Sequence, residues 1–290
     1  MEHIVEKYVE KSDLTLTAEH RELLLFLYKN LHVNELSEEE QYFFIDYFFN
    51  SESLRNMAAS AITLFEIIYE LEENIPAIEL EERLSNGEEQ RHYYERKWHD
   101  VKLHEIKHQT KKEGNVFFVP FAKYKKEPGP IIICLEKTDG MAVYSESCKS
   151  MILPLFVKAH REHRDLYIVP YNNHFHVHYR FEKGHLNLQD FKGFIECAGE
   201  GDAAIIPVLQ FAKGLLQENQ QCTDANIIIF TEGMPTDGQR LEEPCVKTLI
   251  QEIMEKHHAE ISVIAMCENS FNEDYFWFAN KVFFADDTIL

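Results

Sequence analysis

Three short acidic turns carry most of the side chains in this chain that could do chemistry. The first, Glu136-Lys-Thr138-Asp139-Gly140, ends the apolar run Pro130–Leu135, and the third, Thr231-Glu232-Gly233, ends the run Ile227–Phe230. Between them lies Gly199-Glu-Gly201-Asp202, which opens an amphipathic run. Two carboxylates facing each other across a cleft would suit acid–base hydrolysis, although the linear order does not say whether Glu136 and Glu232 meet. A second chemistry is spelled by His104-Glu105-Ile-Lys-His108. Residues four apart share a helix face, so two imidazoles could hold Zn²⁺, with Glu105 as general base and Glu127 as a third ligand. Lys102, Lys107, Lys111 and Lys112 surround that motif, and a solvated linker helix laced by Glu–Lys pairs is the simpler reading. His174, His176 and His178 alternate, which on a strand puts all three on one face. Such a face could take Zn²⁺ or Ni²⁺, but a polar edge strand explains it more economically. There is no G-x-S-x-G nucleophile turn, and Gly199-Glu-Gly201 lacks the Lys and third Gly of a phosphate loop.

Elements that would position these turns follow from periodicity. Residues 1–86 read as an acidic helical domain, with apolar stripes through Leu23–Leu27, Tyr42–Phe49 and Met57–Tyr69. Residues 87–128 read as a polar helical linker and a lead-in strand. From residue 129 to 290, apolar strands alternate with helices. Strands are expected at 131–135, 165–171, 174–181, 226–230, 260–266 and 282–285, and helices at 145–163, 188–195, 203–218, 244–257 and 271–279. That alternation predicts a doubly wound α/β fold, a mostly parallel sheet preceded by an all-α segment. The alternating strand at 174–181, reached through the tight turn Asn172-Asn173, should be an antiparallel edge. In such sheets, sites form outside the carboxyl ends of the strands.

Composition narrows the function classes. A formal net charge of −21 over 290 residues argues against nucleic acid or an anionic membrane as the main partner. The six cysteines form no CxxC pairs, so structural thiols in a reducing compartment are expected. The start, Met-Glu-His-Ile-Val-Glu-Lys, has no secretory pattern, and no apolar run approaches the roughly 20 residues of a membrane span. A cytoplasmic location is expected.

From Gly129 to about Asp286, the element order and the three acidic turns resemble a von Willebrand factor type A (VWA) domain. Within that family the layout is most similar to bacterial intracellular proteins that accompany MoxR-type AAA+ ATPases, which join a helical amino-terminal part to a carboxyl-terminal A domain. The resemblance implies a metal-ion-dependent adhesion site (MIDAS), built from D-x-S-x-S, a Thr in the second turn and a later Asp, and holding Mg²⁺ or another divalent cation. Carried across, the first Asp falls on Glu136, the two Ser on Thr138 and Gly140, the Thr on Gly201 and the last Asp on Glu232. Asp202 matches the acid that commonly follows the Thr. Two of the three direct hydroxyl ligands are therefore glycine, and each Glu-for-Asp change carries a carboxylate about 1.5 Å further into the cleft. The expectation is a degenerate site, with metal weak or absent, on a non-enzymatic protein. Its acidic crevice, formed by Glu136, Asp139, Asp202 and Glu232, would then bind a protein partner such as a MoxR-type ATPase or that ATPase's client. The zinc hydrolase built on His104 and His108 is the alternative.

Overall fold

A computed structural model describes residues 2–12, 17–74, 129–173, 177–218, 225–233, 241, 243–266 and 276–285. Four helices come first: α1 (Glu2–Ser12), α2 (Ala18–Asn30), α3 (Glu38–Asn50) and α4 (Glu52–Asn74). Their starts are written in the sequence. The Thr17 hydroxyl accepts from the His20 N–H at 3.1 Å to cap α2. Ser37 and Glu40 form a reciprocal capping box at the start of α3, satisfying donors that a helix start leaves open. The expected domain limits near residues 86 and 128 fall outside the described residues, as do His104, Glu105, His108 and Glu127.

The sheet has six strands: β1 (Ile131–Glu136), β2 (Leu166–Tyr171), β3 (Tyr179–Phe181), β4 (Asn226–Thr231), β5 (Glu260–Ala265) and β6 (Lys281–Phe284). Their order is β3-β2-β1-β4-β5-β6. Every pairing is parallel except β2–β3, so the expected doubly wound sheet with one antiparallel edge is present. The chain runs outward in one direction from β1 to β2 and in the other from β4 to β6. The switch point therefore lies between β1 and β4, where a crevice opens at the carboxyl ends. Every residue of β1 is buried, as a central parallel strand covered on both faces requires.

The edge strand is shorter than expected. Pairing stops at Ile168↔Tyr179, and continuing the register would set Val177 opposite Pro170, which has no N–H to give the ladder. Residues 174–176, with His174 and His176, lie outside the described residues, and His178 is exposed and irregular. The expected helix 271–279 is described only from Phe276 onward, as a single turn. The helix expected at 244–257 is α8 (Pro244–Gln251) followed by a π turn, Glu252–Lys256.

Helices cover both faces. On one, α7 (Ile205–Glu218) and α8 pack on Ile132, Cys134, Val169, Ile227 and Ile229. On the other, α5 (Ser145–Glu162) and α6 (Leu188–Glu196) share one apolar cluster with the amino-terminal helices. The helical segment is thus an added layer on this side. Leu54, Met57, Ala58 and Ala61 of α4 are fully buried, and the Ser150 hydroxyl of α5 donates to the Met57 carbonyl at 3.2 Å. Phe44 of α3 sits 6.2 Å from Phe191 of α6, ring centre to ring centre. No helix among the described residues is long and apolar enough to cross a membrane.

One shared core predicts one unfolding transition. Phe44→Ala should cost about 3–5 kcal/mol and shift helix loss (far-ultraviolet dichroism) and tertiary packing (near-ultraviolet dichroism) together in a urea titration. Separate shifts would mean that the helical segment unfolds independently.

Candidate functional site at the carboxyl ends of the central strands

Glu136 ends β1 and Thr231 ends β4, which places both at the switch point. The structure brings Glu136, Thr138 and Glu232 together. The Thr138 hydroxyl donates to Glu136 Oε1 at 2.9 Å and lies 3.4 Å from Glu232 Oε1. The Thr231 hydroxyl donates to the other Glu136 oxygen at 2.5 Å. Tyr171, which closes β2 beside Glu136 in the sheet register, is buried, and its hydroxyl is held well above its ordinary range by burial and by the neighbouring Glu136 charge. The Gly233 N–H reaches Thr231 Oγ1 at 3.1 Å and fixes the third turn. The second turn packs on the first through the Glu200 N–H, which donates to the Lys137 carbonyl at 3.1 Å.

Glu136, expected on the open rim, is only 1% exposed. Its carboxylate faces inward because it terminates a strand covered on both sides, and the hydroxyls around it replace the water it has lost. Burial pushes this carboxyl above its ordinary range. Donation from Thr231 and Thr138 offsets part of that shift, and the nearby Glu232 charge adds to it. Thr138 is buried, Glu232 is half-buried, and Asp139 and Asp202 are exposed. The acids expected to act as a set are therefore split between a buried group and an outer rim.

The two glycines of the degenerate pattern have different causes. A Cβ on Gly140 would lie 2.0 Å from Glu232 Oε2, so the longer acid occupies the space that the motif's second serine would take. Gly201 has φ +82°, in the left-handed region that side chains avoid, and a Thr there would be strained. The donor set around Thr138 thus differs from the Mg²⁺ site that the resemblance implies. One hydroxyl replaces three, and Glu136 has both oxygens engaged by threonine hydroxyls. Octahedral Mg²⁺ tolerates little displacement of its ligands. These residues do not fit the family's ion, and no chemistry is derived through it.

Sequence reasoning missed Thr231, Tyr171 and Lys137. Lys137 is buried and its Nζ lies 3.2 Å from Ser145 Oγ. The signal was present: a polar residue closing each of three adjacent apolar strands, Glu136, Tyr171 and Thr231.

No protein-family model matches the chain, and no curated protein matches it. Among solved structures it is similar to the SpRpn10 VWA domain, at 16% identity and a TM-score of 0.40, over 55% of this chain and 88% of that one. It is also similar to the pilus adhesin SpaC from Lactobacillus rhamnosus GG in an open conformation. That likeness has 11% identity and a TM-score of 0.41, over 57% of this chain and 29% of the adhesin.

The raised Glu136 carboxyl has a sign that can be checked. In the fold it holds its proton above the ordinary value of 4.5. The stability that proton contributes is complete below the unfolded value and is lost as pH rises through the folded one. Glu136→Gln removes the titration. The parent's unfolding free energy should therefore fall relative to the variant's as pH climbs from about 4.5 toward neutrality, by at most about 1.4 kcal/mol per unit. Urea unfolding at a series of pH values measures this; parallel profiles would refute it.

Proposed function

We propose that this chain is a non-enzymatic, intracellular protein-interaction module of VWA type, whose acidic rim docks a basic surface on a partner protein. The observation that carries this reading is the division of the rim. Glu136, the carboxylate best placed for chemistry, is enclosed by Thr138, Thr231 and Tyr171. The acids left facing solvent are Asp139, Glu200 and Asp202. Val143, which follows Asp139 by four residues, is 76% exposed at the start of the first crossover. A general acid or base has to reach substrate, and Glu136 is walled off by side chains of its own fold. Exposed like charges suit electrostatic steering of a complementary partner. A MoxR-type AAA+ ATPase is the partner that the sequence resemblance names, and this step is an analogy at the level of fold.

Co-purification from native lysate, followed by binding measurements with the purified ATPase, tests the reading. The triple change Asp139→Asn/Glu200→Gln/Asp202→Asn should slow association about tenfold or more at low salt and flatten its salt dependence. Binding indifferent to both the substitutions and salt would exclude the rim as the docking face.

In the same reading the rim holds no tightly bound Mg²⁺. Isothermal titration with Mg²⁺ and Mn²⁺ should give no saturable binding. Clear binding abolished by Thr138→Ala would overturn this part of the proposal.

A further inference from the structure

Away from the rim, three histidines and a glutamate converge where the helical segment meets the sheet unit. His32 follows α2 in the left-handed conformation, φ 53°. Glu35 closes the next short turn, Val33–Glu35, which is anchored by fully buried Val33. His160 lies in the last turn of α5. His185 follows the turn Glu182–Gly184, which is seated against α5 because Gly184 has no side chain. A Cβ there would lie 2.2 Å from the His160 nitrogen. Three distant stretches of chain are thereby brought to one point.

The distances are those of a coordination shell. Glu35 Oε2 is 3.2 Å from His160 Nε2 and 3.2 Å from His185 Nδ1, and Glu35 Oε1 is 3.5 Å from His32 Nδ1. One ligand atom each from His32, Glu35 and His160 lies within 4.8 Å of the others, while His185 stands outside that group and joins it through Glu35. A tetrahedral Zn²⁺ with bonds of about 2.0–2.1 Å holds its ligand atoms roughly 3.4 Å apart, so closing the shell requires the stacked His32 and His160 rings to rotate apart and His185 to swing in. Without a cation the arrangement is crowded. The His32 and His160 rings stack at 3.6 Å, His185 sits 5.1 Å from His160, and one carboxylate serves all three. His160 lies near the carboxyl end of α5, where the helix dipole favours positive charge.

We propose that His32, Glu35, His160 and His185 form a zinc site that clamps the amino-terminal helices to the end of α5. Three imidazoles and one carboxylate suit Zn²⁺ and disfavour Mg²⁺, which prefers all-oxygen ligands. With His185 drawn in as the fourth protein ligand, no position would stay open, and the ion's role would be structural.

The test uses the full chain, stripped of metal and reloaded with one equivalent of Zn²⁺. Elemental analysis of the parent should show zinc retained. It should remain in His104→Ala/His108→Ala and be lost from His160→Ala and from His185→Ala, with affinity weakened about tenfold or more. His185 has 56% of its side chain exposed, so His185→Ala should fold even if His160→Ala does not. Zn²⁺ should raise the melting temperature of the parent and leave that of His185→Ala unchanged. Co²⁺ in place of Zn²⁺ should give the intense visible bands of a tetrahedral site in the parent alone. A parent that retains no zinc would overturn the proposal, as would zinc lost only from His104→Ala/His108→Ala or unaffected by both the His160 and His185 changes.

Discussion

Glu136 ends the central strand with 1% of its surface exposed, and an ionised carboxylate in such a place costs several kcal/mol unless it is paired or hydrogen-bonded. Much of the rim follows from meeting that cost. The closing residues of the two flanking strands are Tyr171, buried beside Glu136 in the register, and Thr231, whose hydroxyl donates to it. Thr138 supplies another and ties the first turn to the third through Glu232. Glycine at 140 leaves the room that Glu232 fills. The acid at 232 and the missing side chain at 140 are geometrically complementary, since a side chain at 140 would occupy the space that the Glu232 carboxylate fills.

The second constraint is α5. It is buried along the sheet and again along α4, so polar residues on it need partners within the fold. Lys149, with 4% exposure, reaches Ser53 at 3.3 Å and Glu146 at 3.2 Å. Ser53 in turn donates to Glu146 at 2.8 Å. These short polar links register α4 on α5 within an otherwise apolar interface, which fixes where the helical segment sits. At the opposite end of the sheet, buried Arg164 donates to the carbonyls of Gly129 and Pro130 and to Asn226, tying the starts of β1 and β4 together.

The sheet was legible because its central strands β1 and β4 are nearly pure aliphatic runs and amphipathic helices separate the strands. Ile131–Leu135 and Ile227–Phe230 could hardly be anything else in that context. The edge strand was overread because alternation at 174–181 ignored what Pro170 could not donate. At the site, the turns were found but the inward set of Glu136 was missed. Its neighbours in sequence are charged and suggest exposure, whereas its environment is made by Tyr171 and Thr231, distant residues that only strand order places beside it. The histidine cluster was less legible still. His32 and Glu35 have a helix-like spacing, but nothing local connects them to His160 or His185. That link depends on Gly184 letting a turn rest on the end of a helix.

Because α5 spans 18 residues, or roughly 27 Å at 1.5 Å per residue, it joins two regions with opposite physical character. Its first residue, Ser145, adjoins the rim through Lys137, and its last turn carries His160 into the charged cluster. Between them it is clasped on one side by β1 and β2 and on the other by α4. A close-packed helix transmits displacement poorly by bending and well as a rigid body. The start of this element, beside the rim, and its far end, at the amino-terminal helices, are thereby parts of one packed body, although Pro154 interrupts its hydrogen-bond ladder midway. The helical segment is part of the same structural unit, since removing it would expose the apolar face of α5 that Leu54, Met57, Ala58 and Ala61 cover and break the Lys149–Ser53 and Ser150–Met57 links.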